Sequence, residues 1–247
     1  MTDVSPAAEA PPNAKPSSPF SRIIGVLFSP GQTFADIARK PDWVVPAVII
    51  VLVALAAAIV TVPRIDFESQ FRESFEAKGV SGPQMEQGMK FAVAITKGMQ
   101  YLSPLLIIGF IAVAALLYWV GTKMMGGVAT YAQVFSVVLY SWMPLVIRFL
   151  VRIPIVLTKQ SIPPQEVETV VKSSPAFLTS FKANPMLWAV YQRFDLFLIW
   201  TLILVVIGLA AASRLSKAKT AVVVFVVWCI GTLFAVGGGA MAKMRAK

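Results

Sequence analysis

Long uncharged apolar runs alternate with short polar stretches along this chain of 247 residues. Residues 43–62 and 101–122 contain no charge, and residues 131–157 carry only Arg148 and Arg152. Residues 196–213 and 220–242 are uncharged again, with Asp195 immediately before the first of them. A helix rises about 1.5 Å per residue, so about 20 apolar residues cross about 30 Å of hydrocarbon. The pattern therefore predicts an all-α integral membrane bundle of five transmembrane helices, at about 43–62, 101–122, 131–157, 194–213 and 220–242. A soluble fold of this length would have almost nothing left to cover five such helices.

Two shorter apolar stripes precede the first span. Phe20, Ile23, Ile24, Leu27 and Phe28 form one. Ser29-Pro30-Gly31-Gln32 then reads as a capping box with Pro at the first helical position. The helix it opens carries Phe34, Ile37 and Ala38 on one face, with Asp36, Arg39 and Lys40 off it. Both helices are too short to cross a bilayer. Phe28, Ser29, Pro30, Phe34 and Ile37 are thus expected in a segment lying in the interface or tucked against the bundle.

The two longer loops, 63–100 and 158–193, fall on one side of a five-span chain and are partly helical by pattern. Gly82-Pro83-Gln84 opens a helix able to run into the second span. Pro163-Pro164-Gln165-Glu166 opens another, with Glu166 and Glu168 in its first turn. Pro46 and Pro104 sit near span starts, where a missing N–H costs little. Pro144 is well inside the third span and is expected to kink it. Trp43, Tyr101, Trp119, Tyr131, Tyr191 and Trp200 lie at or near span ends, as interfacial rings do. Small residues repeat every four positions at Ala54/Ala58, Gly208/Ala212 and Gly231/Ala235/Gly239, a spacing that lets helices approach closely within a chain or between copies.

Composition agrees with the pattern. The chain is 57% hydrophobic and 14% charged, with a mean hydropathy of +0.74. It has no histidine and one cysteine, Cys229, in an apolar run. Triads and zinc sites that need histidine are excluded, as is an intramolecular disulfide. No phosphate-binding glycine motif and no solenoid-length repeat is present. Residues 1–19 are rich in Pro and Ala and lack a basic start followed by an apolar core, so they read as a disordered tail rather than a signal peptide. One transmembrane domain at 20–242 and a basic tail at 243–247 complete the division.

The net charge of +10 is not a patch. Lys15, Arg22, Arg39, Lys40, Lys123, Arg214, Lys217 and Lys219 fall on one side of the spans. Twelve others fall opposite, in the two long loops and at the C-terminus. This spread excludes nucleic acid as the natural partner and assigns the basicity to the lipid bilayer. It is too even for the positive-inside rule to choose an orientation.

The order of features resembles the Yip-one domain family. Leu27-Phe28-Ser29-Pro30 with Thr33-Phe34 and Ile37, then Pro41 and Pro46, is similar to that domain's opening. Tyr131, Ser136, Tyr140 and Pro144 resemble its third span, and Asp195-Leu196-Phe197 with Trp200, Gly208 and Trp228 its last two. The likeness runs from about Phe20 to Ala240. It implies a multi-pass protein with a cytosolic N-terminus and the C-terminus opposite. Eukaryotic relatives are associated with small GTPases and vesicle traffic, whereas prokaryotic ones mostly have no assigned activity. The Ala-rich sequence and short tail favour a bacterial plasma membrane over Golgi or ER, and the tail is too short and featureless to name a binding motif.

Ionisable groups near spans are functional candidates. Arg148 and Arg152 share one helix face near the end of the third span, and Asp195 starts the fourth on the same side. Asp195 is expected to pair with one of them. The bland alternative is arginines reaching headgroups and Asp195 capping its helix. These features predict a non-enzymatic scaffold or adaptor without cofactor or metal, with other membrane proteins or a second copy as partners. The alternative is a small transporter or channel using Arg148, Arg152, Asp195 and the Pro144 kink. A lipid enzyme would have to rely on loop acids such as Asp66, Glu68, Glu166 and Glu168.

Overall fold

The computed structural model describes residues 18–245, with side chains to residue 237. The tail at 1–17 and residues 246–247 lie outside the described residues. The helices are α1 (Pro19–Phe28), α2 (Pro30–Arg39), α3 (Val44–Thr61), α4 (Phe67–Glu76) and α5 (Pro83–Met124). They continue with α6 (Tyr131–Ser141), α7 (Met143–Leu157), α8 (Pro185–Gln192), α9 (Leu196–Ser213) and α10 (Lys217–Arg245). Five segments are long and apolar enough to span: Val44–Arg64, Pro83–Met124, Tyr131–Leu157, Leu196–Ser213 and Lys217–Gly237. The fold is an all-α membrane bundle.

Local chemistry sets the boundaries. Thr130 and Gln133 form a reciprocal capping box at the start of α6. α9 ends where Arg214 turns left-handed, with φ 57°. The third span is two helices, broken at Trp142, and Pro144 is the second residue of α7. Proline is tolerated there because first-turn amides have no partner within the helix.

α5 differs from the expectation for Pro104. The helix is continuous for 42 residues, so Pro104 lies in its interior rather than near its start. Proline leaves the carbonyl four residues back without an amide. Ser103 repairs this by donating its hydroxyl to the Gln100 carbonyl at 2.7 Å. The helix is about 63 Å long, about twice the hydrocarbon thickness, so its first half stands clear of the membrane. There it packs on α4, with Val62, Ile65, Phe67, Met89 and Val93 in a small second core.

The N-terminal helices are docked into the bundle. Phe34 and Ile37 are fully buried, with α2 against α9 and α6, so these two do not face lipid. Phe28 is 81% exposed. Pro30 opens α2 as expected, but Ser29 makes no side-chain cap. It is also the last link of α1: its amide bonds to Gly25 and its carbonyl accepts from Thr33. The proline pair at 163–164 opens a short 3-10 turn, Pro164–Thr169, rather than a regular helix.

Small residues differ in what they face. Ala54 and Ala212 are buried. A Cβ on Gly208 would collide with Val137 and come 2.9 Å from Phe34, so glycine here lets α9 approach α2 and α6. A Cβ on Gly231 would meet no atom within 4 Å, and Ala235 is only partly buried. Among the described residues, Gly231 therefore makes no close approach to another helix. Gly239 lies beyond the described side chains. Gly208→Leu is expected to destabilise the protein by about 1–3 kcal/mol or more through overpacking, and Gly231→Leu to have little effect. Thermal unfolding of both variants in one detergent checks the contrast.

Candidate functional site

Arg148 and Arg152 stand one turn apart on α7, and a four-residue helical spacing puts both on one face. Arg148 Nε lies 3.5 Å from Asp195 Oδ2. Its Nη2 lies 3.2 Å from Glu168 Oε2 and donates to the Glu168 carbonyl at 2.7 Å. Arg152 Nη2 reaches Glu168 Oε1 at 3.5 Å, with the guanidinium over the Phe149 ring. Asp195 also caps α9, accepting from the amides of Phe197 and Leu198 at 2.9 and 3.1 Å. The Ser173 hydroxyl donates to the same carboxylate, and the Leu196 amide bonds the Ser173 carbonyl.

The structure thus brings together all three residues singled out in the sequence. It adds Glu168 and Ser173, which the spacing did not indicate. Both come from the second loop, so the cluster ties that loop to the ends of α7 and α9. Two guanidinium groups face two carboxylates. Burial of charge at the edge of a membrane costs several kcal/mol per ion without such partners.

Glu168 shows the balance directly. Partial desolvation of this half-exposed side chain opposes its ionisation, but the Arg152 and Arg148 guanidinium groups outweigh that and hold its carboxyl below the ordinary value. A depressed carboxylate contributes stability that is complete above its ordinary pKa of about 4.3 and is lost as pH falls through the folded value. The thermal midpoint is expected to fall below about pH 4, and more shallowly in Glu168→Gln. Unfolding scans across that range check it.

The second loop is also joined to the first. Ile65 and Ile162 form a parallel bridge, with Ile162 N to Arg64 O at 2.8 Å and Asp66 N to Ile162 O at 3.0 Å. Lys182 pairs with Glu73 at 2.9 Å. The loops make one cap. It holds an open cleft of about 1020 Å3, lined by residues such as Asp66, Glu73, Lys159, Phe177, Lys182 and Trp188. A second cavity of about 470 Å3 lies beneath, among α3, α5 and α7 beside the arginines.

The opposite end of the bundle has its own buried pair. Arg22 Nε meets Asp36 Oδ2 at 2.9 Å, Arg22 Nη1 donates to the Lys40 carbonyl, and Arg39 Nη2 lies 3.5 Å from Asp36 Oδ1. Gln133 donates to the Ala38 carbonyl at 2.7 Å. Asp36 is buried, contrary to its expected place on the polar face. Its helix is docked on both faces, and Arg22 of α1 covers the polar one. Among the described residues, no group of three His, Cys, Asp or Glu side chains could hold a metal ion.

Five spans, two docked N-terminal helices and a cap on the opposite face give an architecture to compare with known proteins. The model of the Yip1 domain matches residues 24–238. This chain belongs to the Yip1 domain family. Both arginines, Glu168 and Asp195 lie inside the matched Yip1 domain, whereas Arg22 lies just ahead of it. The chain is also similar to the membrane protein YknW of Bacillus subtilis (strain 168). The two are 28% identical over 220 residues, covering 86% of this chain and 88% of YknW. No solved structure matches. As a Yip1 domain protein with five apolar spans, the chain is a multi-pass integral membrane protein.

Proposed function

We propose that this protein is a non-enzymatic scaffold or adaptor in membrane organisation or trafficking. It presents its cap as a docking platform for another membrane protein or a second copy. One observation carries the reading: the arginine–carboxylate cluster fastens the second loop to the bundle, and that loop in turn holds the first, giving a preformed surface. Arg148 and Arg152 hold Glu168, Asp195 holds Ser173, and the Ile65–Ile162 bridge joins the loops. Polar groups used in this way position a surface. The cleft in that surface mixes charged side chains with Phe177 and Trp188, a composition suited to protein recognition. Similarity to a bacterial membrane protein supports a bacterial plasma membrane, and the family layout supports a cytoplasmic N-terminus with the cap opposite.

A photoreactive residue in place of Leu178, which is 72% exposed on the cap, tests the reading in cells. A discrete adduct with another membrane protein or a second copy is expected. A small GTPase as the adduct would extend the eukaryotic association to this chain. The second reading is a small transporter or channel using Arg148, Arg152, Asp195 and the break at Pro144. The cavity of about 470 Å3 beside the arginines favours it. Ion or solute flux through purified protein in liposomes, with no cap adduct, would replace the adaptor reading.

A further inference from the structure

Ala54, Ala57 and Ala58 line one side of the cavity between α3, α5 and α7. Their methyl groups cannot fill the space between three helices, and about 470 Å3 is left. Small-molecule sites occupy about 300–1,000 Å3. The two ends of the cavity differ in chemistry. Ile107, Trp142 and Leu145 line its deep, apolar end. Thr61, Gln100, Arg152 and Glu168 line its shallow end, at the base of the cap, among apolar neighbours such as Val62 and Phe149. From Ala54 to Thr61 is about 10 Å of helix, so charged and polar groups join the lining only after the length of a short alkyl chain.

The polar end has unmet donors. Thr61 is 3% exposed and Arg152 8% exposed, and both line the cavity. Thr61 Oγ1 and Arg152 Nε have no hydrogen-bond partner. Buried polar atoms without partners are few in folded proteins, and a threonine hydroxyl and a guanidinium N–H each call for an acceptor. Glu168 fills that role poorly. Its contacts with Arg152 are 3.5 Å long, at the limit for a hydrogen bond, and its side chain is 48% exposed. Asp195, by contrast, is fully engaged by Ser173 and the start of α9.

We propose that this cavity binds an amphipathic anion, its single alkyl chain along Ala54–Ala58 and its carboxylate or phosphate head on Arg152 and Thr61, displacing Glu168. The site shares the Arg152–Glu168 contact with the cap, and binding there would leave Glu168 to Arg148 alone. Free fatty acids and anionic phospholipids both supply this head, with the phospholipid inserting one of its chains.

The test uses the full chain in phosphatidylcholine nanodiscs with three diazirine probes: a palmitate, a phosphatidic acid and a phosphatidylcholine. Adducts are mapped by mass spectrometry. Labelling of residues 54–61 and 103–107 is expected from an anionic probe at about tenfold or more over the zwitterionic one. The anionic probe that labels more strongly identifies the source. Arg152→Gln is expected to cut labelling about tenfold, and Thr61→Val severalfold. Glu168→Gln, which removes the competing charge, is expected to raise labelling severalfold. If Arg152→Gln does not fold, Glu168→Gln and Thr61→Val carry the test. Equal labelling by the zwitterionic probe, no labelling by either anionic probe, or labelling indifferent to these substitutions overturns the proposal.

Discussion

Asp195→Ala is expected to cost about 3 kcal/mol, the lower end of the range for breaking a buried pair and among the largest effects expected in this chain. Three losses combine. Arg148 keeps its side chain largely buried and loses its carboxylate at 3.5 Å, while Glu168 at 3.2 Å replaces only part of that pairing. The amides of Phe197 and Leu198 lose their acceptor, a helix cap worth about 1 kcal/mol. The Ser173 hydroxyl falls back on the Val171 carbonyl at 3.3 Å, so the second loop loses its side-chain link to the start of α9. Asp195→Asn separates these contributions. Its amide oxygen can still cap α9, so it recovers the cap but not the charge pairing. Unfolding of wild type, Asn and Ala variants in mixed micelles should give that order of stability. Equal destabilisation of Asn and Ala would mean that charge alone matters.

The second large effect is at the other end of the bundle. Arg22→Ala is expected to cost about 3 kcal/mol, the lower end of the range for breaking a buried pair. Asp36 keeps Arg39 at 3.5 Å, but Arg39 is half exposed and replaces only part of the loss. The Lys40 carbonyl also loses its donor. Because Arg22 joins α1 to the end of α2, release should be local first. Tryptic cleavage after Arg39 in detergent should accelerate well before global unfolding. A variant as protease-resistant as wild type would show that the apolar contacts of Phe34 and Ile37 hold α2 alone.

The spans were legible because about 20 apolar residues in a row have one inexpensive environment. The Arg148–Asp195 contact was legible for a related reason. Charges at the edge of apolar runs have few places to go, and both fall at the same end of their spans. Glu168 was not legible. It lies in an irregular turn with no period, and its pairing depends on the path of the loop. Asp36 was misplaced because a ten-residue helix was read as having one wet face, whereas α2 is packed on both sides. The capping box read at Ser29 failed where one helix leads directly into the next, since Ser29 serves both. Pro104 was read as lying near a helix start, but it is interior to α5, where a neighbouring serine hydroxyl satisfies the carbonyl it releases. These misses share a cause: the partner lies outside the local window from which the pattern was read.

The central claim is a five-span chain with both long loops in one cap, opposite the Lys123 and Arg214–Lys217 turns. Single cysteines at Glu73, Lys182, Lys123 and Lys217, each in a Cys229→Ala background, test it with a membrane-impermeant thiol reagent on sealed vesicles. All four positions are exposed. Cysteines 73 and 182 are expected to react from one side only, and 123 and 217 from the other only. Labelling of 73 and 182 from different sides, or of all four from one side, would contradict the account.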